Sequence, residues 1–171
     1  MPLSEKSLAS HLALFAVVLL FAALLAGCEK ETTWKIGERA PGISVLDLDD
    51  KTVKLSDLKG KPVVLRFWAT GCAPCVAGMP VLDRFSRPYR DKGLVVLAVN
   101  IGGSKELVKA FADGLKLSYP VFLDPAQIAS KKYAVKSVPT TFFIDREGIA
   151  RKVVFGETTQ ELFDKTVDEL L

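Results

Sequence analysis

The chain has 171 residues, of which 49% are apolar and 25% charged, with 23 Lys and Arg against 20 Asp and Glu for a net charge of +3. A basic excess this small, with no cluster of Lys or Arg, gives no electrostatic case for nucleic acid. The sequence also contains no internal repeat, no low-complexity segment and no phosphate-binding glycine loop.

Lys6 precedes an unbroken apolar run from Leu12 to Ala26, which is the length of a signal peptide and short for a membrane-spanning helix. The run ends in Leu25-Ala26-Gly27-Cys28, which resembles the bacterial lipobox, in which the cysteine is lipidated and becomes the new first residue. An uncleaved anchor is the alternative, and it also places the remainder outside the cytoplasm. Lipidation of Cys28 resolves an odd count of three cysteines into one free pair. His11, the only histidine, lies in the segment to be removed, so Cys-His catalysis is excluded from the mature chain. The expected organisation is a lipoprotein signal peptide over 1–27, a polar tether over 28–39 and one domain over 40–171.

Within that domain, Ile43 to Leu48 and Lys51 to Lys54 flank the acidic pair Asp49-Asp50 and predict an N-terminal hairpin. One helical turn over Ser56 to Leu58 precedes the break at Gly60-Lys61-Pro62. Val63 to Ala69 reads as a buried central strand, and a helix is expected from Cys72 to about Arg90, kinked at Pro80. Gly93 stops it before a second buried strand, Leu94 to Asn100. Ser104 caps a helix ended by Gly114, followed by a short strand Val121 to Leu123 and a short helix Ala126 to Tyr133. Thr140 to Ile144 and Arg151 to Phe155 are strands joined by a turn at Asp145-Arg146-Glu147-Gly148. Thr158-x-x-Glu161 reads as the capping box of a terminal helix. The order predicts an α/β sandwich around a sheet with both parallel and antiparallel strands.

The chemistry is carried by Cys72-Ala73-Pro74-Cys75, directly behind the central strand. A strand ending in Cys-x-x-Cys puts the first sulfur at a helix N-terminus, where unpaired N–H groups favour a thiolate, and the second one turn further in. That is the geometry of a dithiol that exchanges electrons with disulfides. Half of a zinc site is the competing reading. A structural zinc needs four ligands, and the other candidates are Cys28 and His11, both in the N-terminal segment, so no metal and no cofactor are expected. Cys72, nearer solvent, is expected to be the nucleophile, and Cys75 to resolve the mixed disulfide by attacking Cys72. Pro74 removes a backbone N–H that would lack an intrahelical partner. Trp68 packs either beside the cysteines or as ordinary core.

Phe67-Trp68-Ala69-Thr70-x-Cys72-x-Pro74-Cys75, Pro80, and Ser137-Val138-Pro139-Thr140-Thr141-Phe142-Phe143-Ile144-Asp145 together resemble the thioredoxin fold. The lipobox, the N-terminal hairpin and the inserted β/α segment Ser104 to Tyr133 resemble its membrane-anchored TlpA/ResA-type branch. The resemblance covers roughly Ile36 to Leu171. It implies an extracytoplasmic thiol-disulfide oxidoreductase acting on disulfide-containing proteins, apocytochrome c among them, and supplied with electrons by a donor in the membrane. It also implies a cis Pro139 against the disulfide, with the Val138 backbone free to pair with an extended substrate segment. Pro139, Val138, Trp68 and Pro74 are thus the expected substrate-binding residues.

Three positions depart from the family pattern. Gly71 stands where relatives carry an aromatic residue, Gly78 where the cytochrome-linked branch carries a glutamate, and Arg66 where thioredoxins hold a buried aspartate. Arg66 must either approach the sulfurs, where it would favour thiolate, or extend its head to the sheet edge. Two rival functions stand beside the oxidoreductase. One is a peroxiredoxin-like thiol peroxidase, whose Thr stands three residues before the reactive Cys; Thr70 precedes Cys72 by two. The other is a redox-inactive binding domain, which would tolerate loss of either cysteine.

Overall fold

The structure, a computed structural model, describes residues 34–171. The signal segment, Cys28 and the rest of the first half of the tether lie outside those residues. Apolar strands and turn residues divide the chain as the punctuation predicts. A hairpin of β1 (Ser44–Leu46) and β2 (Thr52–Lys54) leads through a 3₁₀ turn at Leu55–Leu58 to β3 (Val63–Trp68). Then follow α1 (Ala73–Ser86), β4 (Val95–Asn100), α2 (Lys105–Leu115), β5 (Val121–Leu123) and α3 (Ile128–Lys132). A second hairpin, β6 (Thr140–Ile144) with β7 (Ala150–Phe155), precedes α4 (Gln160–Asp168).

One seven-stranded sheet has the order β2-β1-β5-β4-β3-β6-β7. β3 pairs parallel with β4, and β4 with β5, while β6 lies antiparallel to β3 and β7 antiparallel to β6. The central strand β3 is buried at all six positions and alternates between two cores. Val64 and Trp68 join Met79, Leu82 and Phe163 from α1 and α4 on one face. Leu65 and Phe67 join Phe142, Ala129 and Tyr133 on the other. Arg66 falls between Val64 and Trp68, and this alternation commits it to the α1 face.

Several boundaries differ from the sequence-based expectation, each for a local reason. The helix expected over Cys72 to Arg90 stops at Ser86 and continues as a 3₁₀ turn, Arg87–Tyr89. Pro88 has no N–H to give to the carbonyl one turn back. Helix α2 runs one residue past Gly114, and Lys116 ends it in the left-handed conformation, φ 49°. The cap of α4 is Thr159 rather than Thr158: its hydroxyl accepts from Leu162 N–H, so Glu161 falls too early for the expected capping box. The strand expected over Ile43 to Leu48 shrinks to β1 because the Asp47 carboxylate accepts the N–H groups of Asp49 and Lys51, closing the turn sooner.

A separate cluster locks the far end of α1. The buried carboxylate of Asp83 accepts from Arg87 at 2.6 Å and Arg90 at 3.1 Å, from Ser118 N–H at 3.1 Å and from the Ser118 hydroxyl. Burial alone would raise this carboxyl, but the hydrogen bonds from Ser118 and Arg87 hold it below its ordinary value of 3.8.

Candidate active site

β3 ends at Trp68, and the chain turns through Ala69 to Gly71 into the N-terminus of α1. There Cys72 is the N-cap, in extended conformation, with Cys75 N–H pointing at its sulfur at 3.2 Å. Ala73 and Pro74 occupy the first two helical positions, where N–H groups have no intrahelical partner. Cys72 and Cys75 form a disulfide, their Cα atoms 5.2 Å apart. Exposure separates them as the sequence predicts: Cys72 is half-buried at the surface and Cys75 is 0% exposed.

The loop before β6 brings the other expected residues to the same place. Val138-Pro139 is a cis peptide, and the Val138 carbonyl oxygen lies 3.6 Å from Cys72 Sγ. An oxidised sulfur carries no hydrogen, so this is a contact rather than a hydrogen bond. Pro74 is exposed and Val138 half-buried, so both present surface to a partner. Trp68 is wholly buried in the cluster that contains Cys75. It is therefore core and out of a partner's reach.

One rim residue escaped the sequence reading. Phe155 is 71% exposed, and it pairs in register with Thr140, while Gly156 N–H donates to the Pro139 carbonyl at 2.8 Å. The exposed ring therefore stands beside the cis-proline loop, on a rim that Gly71 leaves without an aromatic side chain. An aromatic at the last position of an edge strand was the available signal.

The head of Arg66 finds a carboxylate inside the fold rather than the sheet edge. It is 0% exposed, so it does not reach solvent, and its Nη2 donates to the carboxylate of Glu157, in the loop between β7 and α4. The Glu157 side chain is 37% exposed, and it was not among the residues singled out from sequence. Gly78 is what admits it: a Cβ at Gly78 would clash with the Glu157 carboxylate. The signals available were a buried arginine in a strand, which demands a carboxylate, and a glycine in mid-helix. Tyr119 lies near the same pair and donates its hydroxyl to the Met79 carbonyl at 3.0 Å. Burial pushes its phenol well above the ordinary range, against the opposing charge of Arg66.

The cavity at the other end of β3, about 340 Å³ and floored by Leu55, Leu58, Val63 and Ile144, is remote from the sulfurs. Among the described residues no His, Cys, Asp and Glu come together as a metal-binding group.

A strand-to-helix Cys-x-x-Cys disulfide flanked by a cis-proline loop on a mixed sheet defines a thiol-disulfide oxidoreductase of thioredoxin-like fold. Known proteins agree. Residues 36–153 match the model of the AhpC/TSA family. The chain is 38% identical over 127 residues to the thiol-disulfide oxidoreductase ResA of Bacillus thuringiensis (strain Al Hakam), covering 74% of this chain and 73% of that protein. A Chlorobium tepidum structure described as a thiol:disulfide interchange protein DsbE superposes with a TM-score of 0.75 at 29% identity, over 81% of this chain and 99% of that one. The exposed lipoprotein thioredoxin Etrx1 of Streptococcus pneumoniae strain TIGR4 does so at 0.67 and 34% identity, over 76% of this chain and 100% of that one. The chain belongs to the AhpC/TSA family and, within it, to the ResA/TlpA-type thioredoxin-fold thiol-disulfide oxidoreductases.

Proposed function

We propose that this oxidoreductase works outside the cytoplasm, anchored by lipid on Cys28, as a reductase of protein disulfides. The observation that carries the chemical part is the asymmetry of the two sulfurs: Cys72 sits half-buried at a helix N-terminus beside the Val138 carbonyl, and Cys75 is sealed beneath it. Helix N–H groups stabilise Cys72 as thiolate in the reduced enzyme. That thiolate attacks one sulfur of a substrate disulfide, whose second sulfur leaves as a thiolate. Cys75 then attacks Cys72, the Cys72–Cys75 disulfide forms, and the substrate departs with two electrons gained. An extended substrate segment lies along the half-buried Val138 backbone, which the buried Pro139 holds in place, with the exposed Phe155 ring and Pro74 as apolar contacts.

The extracytoplasmic and lipid-anchored reading is supported by the lipobox-like Leu25-Ala26-Gly27-Cys28 and by the description of the 34% identical Etrx1 as an exposed lipoprotein. On this reading a membrane donor regenerates the dithiol, and the disulfide of apocytochrome c, reduced before haem attachment, is the substrate that the family resemblance points to.

The test charges the protein with a dithiol, removes the excess and presents either insulin or hydrogen peroxide. The expected result is stoichiometric insulin reduction and no peroxide consumption above the Cys72→Ser background. Peroxide consumption with no insulin reduction would favour a thiol peroxidase, and no reaction with either would leave a binding domain.

A further inference from the structure

A buried sulfur that alternates between thiol and disulfide has a proton to dispose of in every cycle. Cys75 is wholly buried, so its proton has no direct exit to water. We propose that Glu157, held by Arg66 in the space left by Gly78, takes that proton when Cys75 attacks the mixed disulfide and passes it to solvent. The proposal rests on the reading of Cys72 as nucleophile and Cys75 as resolving residue.

The placement comes from helix geometry. Cys75 and Gly78 are three residues apart on α1, which puts their Cβ positions about 5–6 Å apart on one face. A helical Cα–Cβ bond tilts toward the N-terminus, so from Gly78 it aims at Cys75. The Glu157 carboxylate lies directly against the position of that missing Cβ, too close for both to be present. It therefore lies about one helical turn from the buried sulfur, a separation of the kind that a bridging water spans. At 37% exposure the side chain joins this interior position to solvent, which is what a proton carrier requires.

The surrounding groups leave the task to Glu157. Arg66 faces it from β3, is fully buried and fixes the carboxylate in place. Tyr119 faces the pair from the segment before β5, but its hydroxyl is committed to the Met79 carbonyl. Asp83, further along α1, is occupied by Arg87, Arg90 and Ser118. Arg66 thus acts on the chemistry through Glu157: it is a positioning residue, and its charge keeps the carboxylate directed inward.

The step balances. In the mixed disulfide Cys72 is bonded to a substrate sulfur. The Cys75 thiol gives its proton to the Glu157 carboxylate as its sulfur bonds to Cys72. The bond between Cys72 and the substrate breaks, and the substrate sulfur leaves as a thiolate with the electron pair. Glu157 returns its proton to water through its exposed edge. In the reverse direction, as the Cys72–Cys75 disulfide is reduced, the same carboxyl reprotonates Cys75.

The experiment mixes reduced enzyme with dithiobis(nitrobenzoate), which leaves thionitrobenzoate disulfide-bonded to Cys72, and follows the second release of thionitrobenzoate, as Cys75 resolves that adduct, by absorbance from about pH 5 to 9. In the wild type the rate is expected to reach a plateau within this range, because a fixed carboxylate rather than hydroxide takes the proton. In Glu157→Gln, resolution is expected to fall at least about tenfold at pH 7, at the low end for loss of a positioned proton acceptor, and to keep rising with hydroxide. Gly78→Asp/Glu157→Ala returns a carboxylate to the same space from α1, and it should restore both rate and plateau. It also decides the matter should Glu157→Gln fail to fold. Unchanged rate and pH profile in Glu157→Gln, with only a lower melting temperature, would overturn the proposal and leave the ion pair structural. Failure of the double variant to recover the plateau would do the same. If instead the label were found on Cys75, the assignment of the two cysteines would fall first, an outcome distinct from either.

Discussion

Replacing Glu157 by Gln removes the counter-charge of a guanidinium that has no access to water, and the cost can be set against that of the opposite change. Arg66 is fully buried and its Nε already lacks a partner, so it depends on the Glu157 carboxylate. Removing one member of a buried pair costs about 3–5 kcal/mol, because the survivor is left charged in a poor solvent. Gln keeps one oxygen acceptor, and the site opens partly to water, so the low end, about 3 kcal/mol, applies. For a domain of this size that is roughly 10 °C in Tm. Arg66→Met is the milder change. It strands a carboxylate that is 37% exposed and can hydrate, and the Met stem refills much of the core, so about 1 kcal/mol is expected. The double variant, with no buried charge left, should recover most of what Glu157→Gln loses. Urea melts of the four proteins at pH 7, reduced and oxidised, give the cycle. Arg66→Met as costly as Glu157→Gln, or a double variant no better than Glu157→Gln, would refute the claim that the arginine is the deeper, dependent partner.

Three further outcomes are expected. Asp83→Asn should lower stability by about 2 kcal/mol at pH 7 through the weakened bonds from Arg87, Arg90 and Ser118. Because the folded Asp83 carboxyl sits below 3.8, its contribution is complete above the unfolded value and is lost as pH falls through the folded one. The gap between variant and wild type should therefore close in acid urea melts, and a gap constant from pH 7 to 2 would contradict this. Cys28→Ser should move the protein from the membrane to the soluble extracytoplasmic fraction or block its processing, read by fractionation and intact mass; unchanged values would remove the lipid anchor. Phe155→Ala should raise KM for a protein disulfide several-fold while leaving reaction with a small disulfide unchanged, and equal effects on both substrates would deny the ring a docking role.

What the sequence discloses and what it hides follow from the range of the interactions. The dithiol is legible because Cys72 and Cys75 carry their own geometry within one helical turn, and the strands because β-branched runs and turn residues act locally. Local competition shifts the ends: Pro88 shortens α1, and Thr159 takes the cap that Thr158-x-x-Glu161 suggests. The partner of Arg66 stands 91 residues away and joins it only when β7 closes on β6 and turns toward α4. In sequence Gly78 reads as the loss of a side chain, whereas in the fold it is the space that the Glu157 carboxylate fills. Asp83, Arg87 and Arg90 have the spacing of one helix face, but the Ser118 that completes the cluster comes from another element.

The central assignment is that Cys72, and not Cys75, meets the substrate disulfide. Cys75→Ser protein, reduced and incubated with a disulfide-bonded protein, should accumulate a mixed disulfide, and peptide mass spectrometry should place the bond on Cys72; Cys72→Ser should accumulate none. Adducts formed by Cys72→Ser on Cys75, or no adduct with either variant, would contradict it.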